Sequence, residues 1–439
     1  MAAEKTEIPS FGLLNQRRLF IYAHESTIFL LHLNKESKER RMKMKKTLIY
    51  SSLFIVLLAG FLAANLQAAE PSKVLKLGHT TTFTGPGQFL VKGITEQSLK
   101  PLVQMINHKG GIKVGGESYR LELVIEDNKF TTPGGRAAAE KLIFREKVKY
   151  IVGDFSTSAL RGELPLATEN KIIVIAGGGS IPPSSEFPYY FAAGPSFSQR
   201  SYAILKVAKE KYPRLKRIAA LNADDESGLQ MQGAISKVFP LLDLEPVYNE
   251  RHPRGTTDYY PFFTKLLVQK PDAFLTISGP NELALMTKQL RELGYKGLIL
   301  YCTLLGDLDS FIKVAGEEAS QGIWTWYDDF KNPNAIPKIR EFQEFYTKVL
   351  KGSPNDIHFP AMMCSIEVLV QALEKANTFD REKLIHVLES SEFDTLVGMC
   401  RFEGKATYGI TRKLSAIFRI AELRGREWFH VGEAMLREP

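Results

Sequence analysis

The sequence predicts an α/β protein built as two similar lobes, each with a parallel sheet flanked by helices. Three observations lead there. Short strand-like runs alternate with longer helix-like runs from residue 74 to residue 326, the pattern of βαβ units whose strands are buried on both faces. About nine such units are too many for one open sheet in a chain of 439 residues, and the rhythm starts afresh at Gly194-Pro195. No low-complexity linker separates the halves, so ordered crossovers join them.

In chain order, 74–79 is a strand, followed by the loop Phe83-Thr84-Gly85-Pro86-Gly87. Ile94, Leu99, Leu102, Val103 and Ile106 have helical spacing over 93–107, with Pro101 expected to kink the helix and Gly110-Gly111 to end it. Gly115-Gly116 turns a hairpin whose second arm alternates Tyr119, Leu121, Leu123 and Ile125 with polar residues. A helix over 133–145, a strand at 150–153, a helix over 158–169 and a strand at 172–176 follow. The second round predicts helices over 197–212, 228–240, 258–269 and 281–293 between strands at 217–222, 246–249, 273–277 and 298–301. After a strand at 322–326 come helices over 334–350, 359–376 and 380–390, then strand runs at 396–402, 412–420 and 427–431.

Composition narrows the class. An apolar share of 44% and a charged share of 24% are those of a globular protein. Most of the +8 net charge sits in the first 46 residues, which carry ten Lys/Arg against five Asp/Glu; the body from residue 69 has only a slight excess, so a nucleic-acid partner is not indicated. Residues 42–69 run from a basic patch (Lys43, Lys45, Lys46) through an uncharged apolar stretch, 47–62, to Leu66-Gln67-Ala68, the order of a cleavable export signal. At 16 residues the apolar stretch is shorter than the roughly 20 a spanning helix needs. The polar segment 1–41 ahead of it is an extension, with translation expected to start at Met42 or Met44; the other reading is a cytoplasmic tail that makes 47–62 an uncleaved anchor. Cys302, Cys364 and Cys400 include no C-x-x-C, and their apolar neighbours mark them as buried small hydrophobes.

Familiar enzyme chemistry is missing. There is no H-E-x-x-H, G-x-S-x-G, G-x-G-x-x-G or Walker motif, so no catalytic residue, metal ligand or cofactor is assigned. Asp224-Asp225-Glu226 reads as a solvated turn before a helix, since three consecutive acids do not converge on a metal. What is present is a pair of strand-to-helix corners, Asp154-Phe155-Ser156-Thr157-Ser158 and Gly177-Gly178-Gly179-Ser180. Such corners are where open α/β sheets bind ligands, and amides with short hydroxyls suit a carboxylate. Each corner alone also reads as N-capping by Ser156 or Thr157 or as a glycine turn; two in consecutive units favour a binding site.

At these residues the chain resembles the periplasmic branched-chain amino-acid (Leu/Ile/Val) binding proteins of ABC transporters, the type I periplasmic-binding-protein fold. The resemblance runs through Leu75-Lys76-Leu77-Gly78 with Thr84-Gly85-Pro86, Asn107 with Gly110-Gly111-Ile112, Glu126-Asp127-Asn128, Val148 with Ile151-Val152-Gly153 and Ser156-Thr157-Ser158, Asp258-Tyr259, and Ala315-Gly316-Glu317. It implies two lobes joined by three crossovers, divided as 69–193 with 326–397 and 194–325 with 398–439. It also implies periplasmic export through signal 42–68, a small-molecule ligand, ABC permease partners and no enzymatic activity. Carried over, it places Thr157 as a ligand-binding hydroxyl, Gly178 as a source of backbone polar groups and Ser180 in a threonine-like place, beside Ser156. Phe83 and Tyr259 are candidates for an apolar wall, as are Phe89, Tyr260, Trp324 and Trp326, although aromatics of this kind are more often core than cleft.

The second lobe departs from that pattern. Ser278-Gly279-Pro280 stands where the amino-acid binders have a tyrosine, and Cys302-Thr303-Leu304-Leu305 where they have the glutamate that holds the α-ammonium. An ammonium without an acidic partner is costly in a dry cleft. The expected ligand is therefore a small carboxylate without an α-amino group, aromatic or aliphatic, unless Asp225 or Glu226 replaces the missing acid. The competing readings are a membrane-anchored ligand-sensing ectodomain of the same fold and a secreted enzyme using Thr157 or Ser180 as nucleophile, for which no general base is recognisable.

Overall fold

Strand runs and helix runs settle into two sheets. The computed structural model describes residues 50–51, 73–84, 88, 91–178, 181–303, 305, 308–326, 336–352 and 360–435, with backbone alone at 91–92 and 360–361. Ser72–Pro439 forms one unit and Met1–Pro71 another; the signal segment 42–68 lies outside the described residues except for Tyr50 and Ser51. Among the described residues no helix is long and apolar enough to cross a membrane.

The first sheet grows from β1 (Lys73–Thr81), which pairs in parallel with β3 (Glu117–Asp127) and β4 (Tyr150–Val152). The hairpin arm β2 (Ile112–Val114) lies antiparallel on β3 at one edge. On the other side β4, β5 (Ile173–Ala176) and β6 (Tyr190–Ala192) continue in parallel. Every residue of β4 and β5 is buried, as expected for strands covered on both faces.

The second sheet is built the same way. β7 (Arg217–Ala223) pairs with β8 (Glu245–His252) and β9 (Ala273–Thr276), and β10 (Leu298–Tyr301) and β11 (Ile323–Trp326) extend it, all in parallel. β12 (Glu392–Thr395), β13 (Gly398–Glu403) and β14 (Lys413–Ser415) add an antiparallel edge to the first sheet, and β15 (Ile417–Arg424) and β16 (Glu427–Met435) add one to the second. The strand order thus passes between the sheets three times, after β6, β11 and β14. This is the fold the alternation predicts.

Two details differ from the sequence reading. The run 412–420 is two strands, not one: β14 joins the first sheet at Lys413 opposite Ala192, and after Ala416 alone β15 joins the second. The stretch 398–415, read as second lobe, therefore belongs to the first sheet. Gly398 is the reason: with φ of +96° it closes a hairpin across Leu396-Val397 that returns β13 against β12. The kink expected at Pro101 is a change of winding instead. Wide π-helical turns over Val91–Leu99 give way to an α-helix, Lys100–His108, which begins beside the proline, where its missing N–H costs nothing. The helix Leu308–Ala315 and the short β6 carried no clear sequence signal.

All three cysteines are buried, with Cys364 Sγ 4.0 Å from Cys400 Sγ. The helix that carries the first corner is seated by glycine. Thr157–Glu169 crosses Thr132–Glu140 so closely that a Cβ on Gly162 would fall 1.9 Å from the Thr132 carbonyl oxygen, and one on Gly135 2.1 Å from that of Ala159. Both obstacles are backbone. Gly162→Ala is therefore expected to destabilise the fold by about 2–3 kcal/mol. Gly233→Ala, on an exposed helical position with open space around it, should instead gain about 0.5–1 kcal/mol. Paired denaturant melts check both signs.

Candidate functional site

The carboxyl ends of the parallel strands of both sheets face one another across a cleft, the place where α/β sheets present ligand groups. From the first lobe, Phe155 and Thr157 after β4, Gly178 after β5 and Phe130 after β3 line it. From the second, Ile277, Ser278 and Gly279 after β9 and Thr303 after β10 do so, with Ser227, Arg254 and the helix residues Phe197 and Arg200. The cleft is drawn in to about 30 Å³, room for little more than a water. Arg161 of the first lobe and Glu226 of the second close its rim at 3.0 Å.

The first corner has a defined electrostatic floor. Ser156 caps the helix Thr157–Glu169 by accepting from the Ala159 N–H, so the helix points its positive end at the cleft. Behind the cap two carboxylates are buried together: the Thr80 hydroxyl reaches Asp154 at 2.7 Å and Glu163 at 3.2 Å, and Asp154 also accepts from the Ser156 N–H. Burial pushes Asp154 up to about 7, and burial followed by the charge of Asp154 raises Glu163 well above the usual carboxylate range. The pair is thus at least partly protonated at neutral pH.

Arg200 dominates the middle of the cleft. It is 1% exposed and donates to the carbonyls of Pro195 (2.9 Å), Gly178 (2.8 Å) and Cys302 (3.3 Å), so it ties the two lobes together. Its guanidinium lies 5.0 Å from the Trp326 ring centre and 5.1 Å from that of Phe197. Burial lowers its pKa to about 10, which leaves it charged at neutral pH. Among the described residues no carboxylate pairs with it. A buried cation held only by carbonyls and rings still has electrostatic capacity for an anion.

The other cleft cation is already neutralised. Arg254 grips Asp225 Oδ2 through Nε (2.9 Å) and Nη2 (2.6 Å) and Glu282 Oε2 through Nη1 (2.6 Å), with Phe130 of the opposite lobe 5.7 Å from its guanidinium. Burial works against its charge, but the two acids more than offset this and raise its pKa. Both acids are spent: Asp225 Oδ1 accepts from Ser227 and Gly228 N–H, and Glu282 accepts from Gly255 and Gly279 N–H. Next to them the His252 Nδ1–H donates to the Pro253 carbonyl at 2.9 Å, and Nε2 lies 2.9 Å from Ser278 Oγ. This pair is not a triad, because its third member is a carbonyl and not a carboxylate.

The cleft brings together Thr157 and Gly178 of the residues singled out in the sequence. Both backbone groups of Gly178 are engaged: its N–H donates to the Asp154 carbonyl and its own carbonyl accepts from Arg200. Ser156 stands one residue behind, as the helix cap. Ser180 lies outside the described residues. Phe83 is exposed and does not line the cleft; Asp225 does not line it either and meets it through Arg254 and Ser227. Tyr259 is 0% exposed, packed in the second lobe against His252 and Phe263, where burial raises its pKa. Sequence reading missed Arg200 and Arg254. Arg200 had a signal, since Phe197, Arg200 and Ile204 share one helical face and a charge on an apolar stripe needs a reason. Arg254, in the loop after β8, had none.

The profile of the periplasmic binding protein family matches residues 74–424. The chain is 26% identical over 302 residues to the Leu/Ile/Val-binding protein homolog 6 of Brucella melitensis, covering 67% of this chain and 74% of that one. Among solved structures, a leucine-binding protein, LivK, of Thermotoga maritima matches with a TM-score of 0.69 at 20% identity, over 83% of this chain and 99% of its own. A solute-binding protein of an ABC transporter from R. palustris, solved with benzoate, matches with a TM-score of 0.67 at 18% identity, over 82% and 96%.

Proposed function

Because the chain belongs to the periplasmic binding protein family, whose members are solute-binding proteins and not enzymes, we propose that it is the capture subunit of an ABC importer for a small organic acid lacking an α-amino group. One observation carries the choice of ligand. Among the described residues the cleft holds a buried arginine without a carboxylate partner, Arg200, while Asp225 and Glu282 are saturated by Arg254 and backbone amides. An anion completes this site; an α-ammonium finds no free acid among the described residues that line it. The positive helix end at Thr157 and the partly protonated Asp154–Glu163 pair favour the same charge. The benzoate complex of the R. palustris protein is consistent with acids as cargo on this fold.

In this reading the lobes part to admit the acid, which then stabilises the closed form by touching residues of both. Export through the 42–68 signal places the protein in the periplasm, where the closed form meets its permease. Calorimetric titration with benzoate, hexanoate and leucine tests the ligand class. Saturable binding of an acid with no response to leucine is the expected result; tight leucine binding with no response to either acid overturns it.

A further inference from the structure

The second-lobe wall of the cleft holds a group of fixed polarity that neither the fold nor the carboxylate site requires. The Pro253 carbonyl only accepts, so the proton of the neutral His252 ring sits on Nδ1. Nε2 is then an acceptor, and the hydrogen bond at 2.9 Å must be donated by the Ser278 hydroxyl. Both side chains are fixed: His252 is 0% exposed and stacks edge-on to Tyr259 at 5.1 Å, and Ser278 is 5% exposed on the cleft wall. With its one proton committed to His252, the Oγ of Ser278, a residue of the cleft wall, keeps lone pairs only. Among the described residues nothing donates to them.

We propose that Ser278, polarised by His252, is a specificity residue that accepts a hydrogen bond from a hydroxyl on the ligand, at a point remote from the carboxylate seated by Arg200. The preferred solutes are then hydroxy acids, aromatic or aliphatic, and not plain acids. This rests on the carboxylate reading above, since a carboxylate held by Arg200 fixes which end of the ligand is left to meet Ser278. The neutral state of His252 agrees: burial lowers its pKa, and Glu282 and Asp225, which would favour a charged ring, face it together with Arg254, which opposes one.

Matched pairs of acids test it on the full protein by calorimetry: benzoate, 4-fluorobenzoate and 4-hydroxybenzoate, with hexanoate and 6-hydroxyhexanoate as the aliphatic pair. In at least one series the hydroxy acid should bind about ten-fold tighter than its partner, with 4-fluorobenzoate, close in size but without a donor, behaving like benzoate. Ser278→Ala should bring the members of that series to within about three-fold of each other. His252→Phe, which frees the serine proton, is a second variant that should erase the preference in the same way. Equal binding across both series in the parent protein overturns the inference and leaves the carboxylate reading standing, as does a preference that survives in Ser278→Ala. Failure of every acid to bind overturns both.

Discussion

Replacing Arg200 by methionine is expected to reduce affinity for the bound acid by at least about 100-fold, corresponding to about 3 kcal/mol. A truncated partner of a buried charged hydrogen bond typically costs 2–5 kcal/mol. The side chain has no competing carboxylate among the described residues, so its charge is available to the ligand, and the low polarity around Trp326 and Phe197 strengthens that interaction. Arg200→Lys keeps the charge and loses the planar fork that spans Pro195, Gly178 and Cys302, so it should fall between the two. Calorimetry on both variants, with benzoate or hexanoate as the acid that binds the parent, reads the order. Loss of binding in both with the lysine no better than methionine would mean that Arg200 acts by holding the lobes and not by meeting an anion.

Replacing Arg254 by methionine should act on stability. It would strip the shared cation from Asp225 and Glu282, whose side chains are only 17% and 12% exposed. Breaking a buried pair costs 3–5 kcal/mol, and residual exposure here places the loss near the lower end, about 3 kcal/mol at neutral pH. Adding Asp225→Asn and Glu282→Gln to the variant should recover much of the loss. Denaturant melts measure both effects; a loss that the two amide replacements do not recover would mean packing against Phe130, and not charge, is what Arg254 supplies.

The sheets were legible because their strands obey a rule with few exceptions. Short apolar runs such as Tyr150–Val152 and Ala273–Thr276, set between helical stripes, have no soluble arrangement except burial in parallel sheets. The edges were less legible. Whether 398–415 pairs with one sheet or the other depends on a hairpin at Gly398 and a single-residue passage at Ala416, and periodicity carries no information about which neighbour a strand will find. The site divided along similar lines. The strand-end corner at Thr157 was visible because backbone topology puts it there. Tyr259 and Asp225 were read as candidates from residue type alone; the structure gives one to the core and the other to Arg254. Arg254 converges with Asp225 and Glu282 only through tertiary folding, from a loop, a helix cap and the first turn of another helix, so no local pattern announced it.

The buried acids behind Ser156 bear on what an approaching solute feels. Two ionised carboxylates just under the helix end would repel a negatively charged guest and cancel the field of the amides above them. Because burial raises both Asp154 and Glu163 above the usual carboxylate range, the first lobe meets its guest with less negative charge than two free carboxylates would carry, set back behind the helix end. The lobe stores protons where another fold would have needed a second arginine.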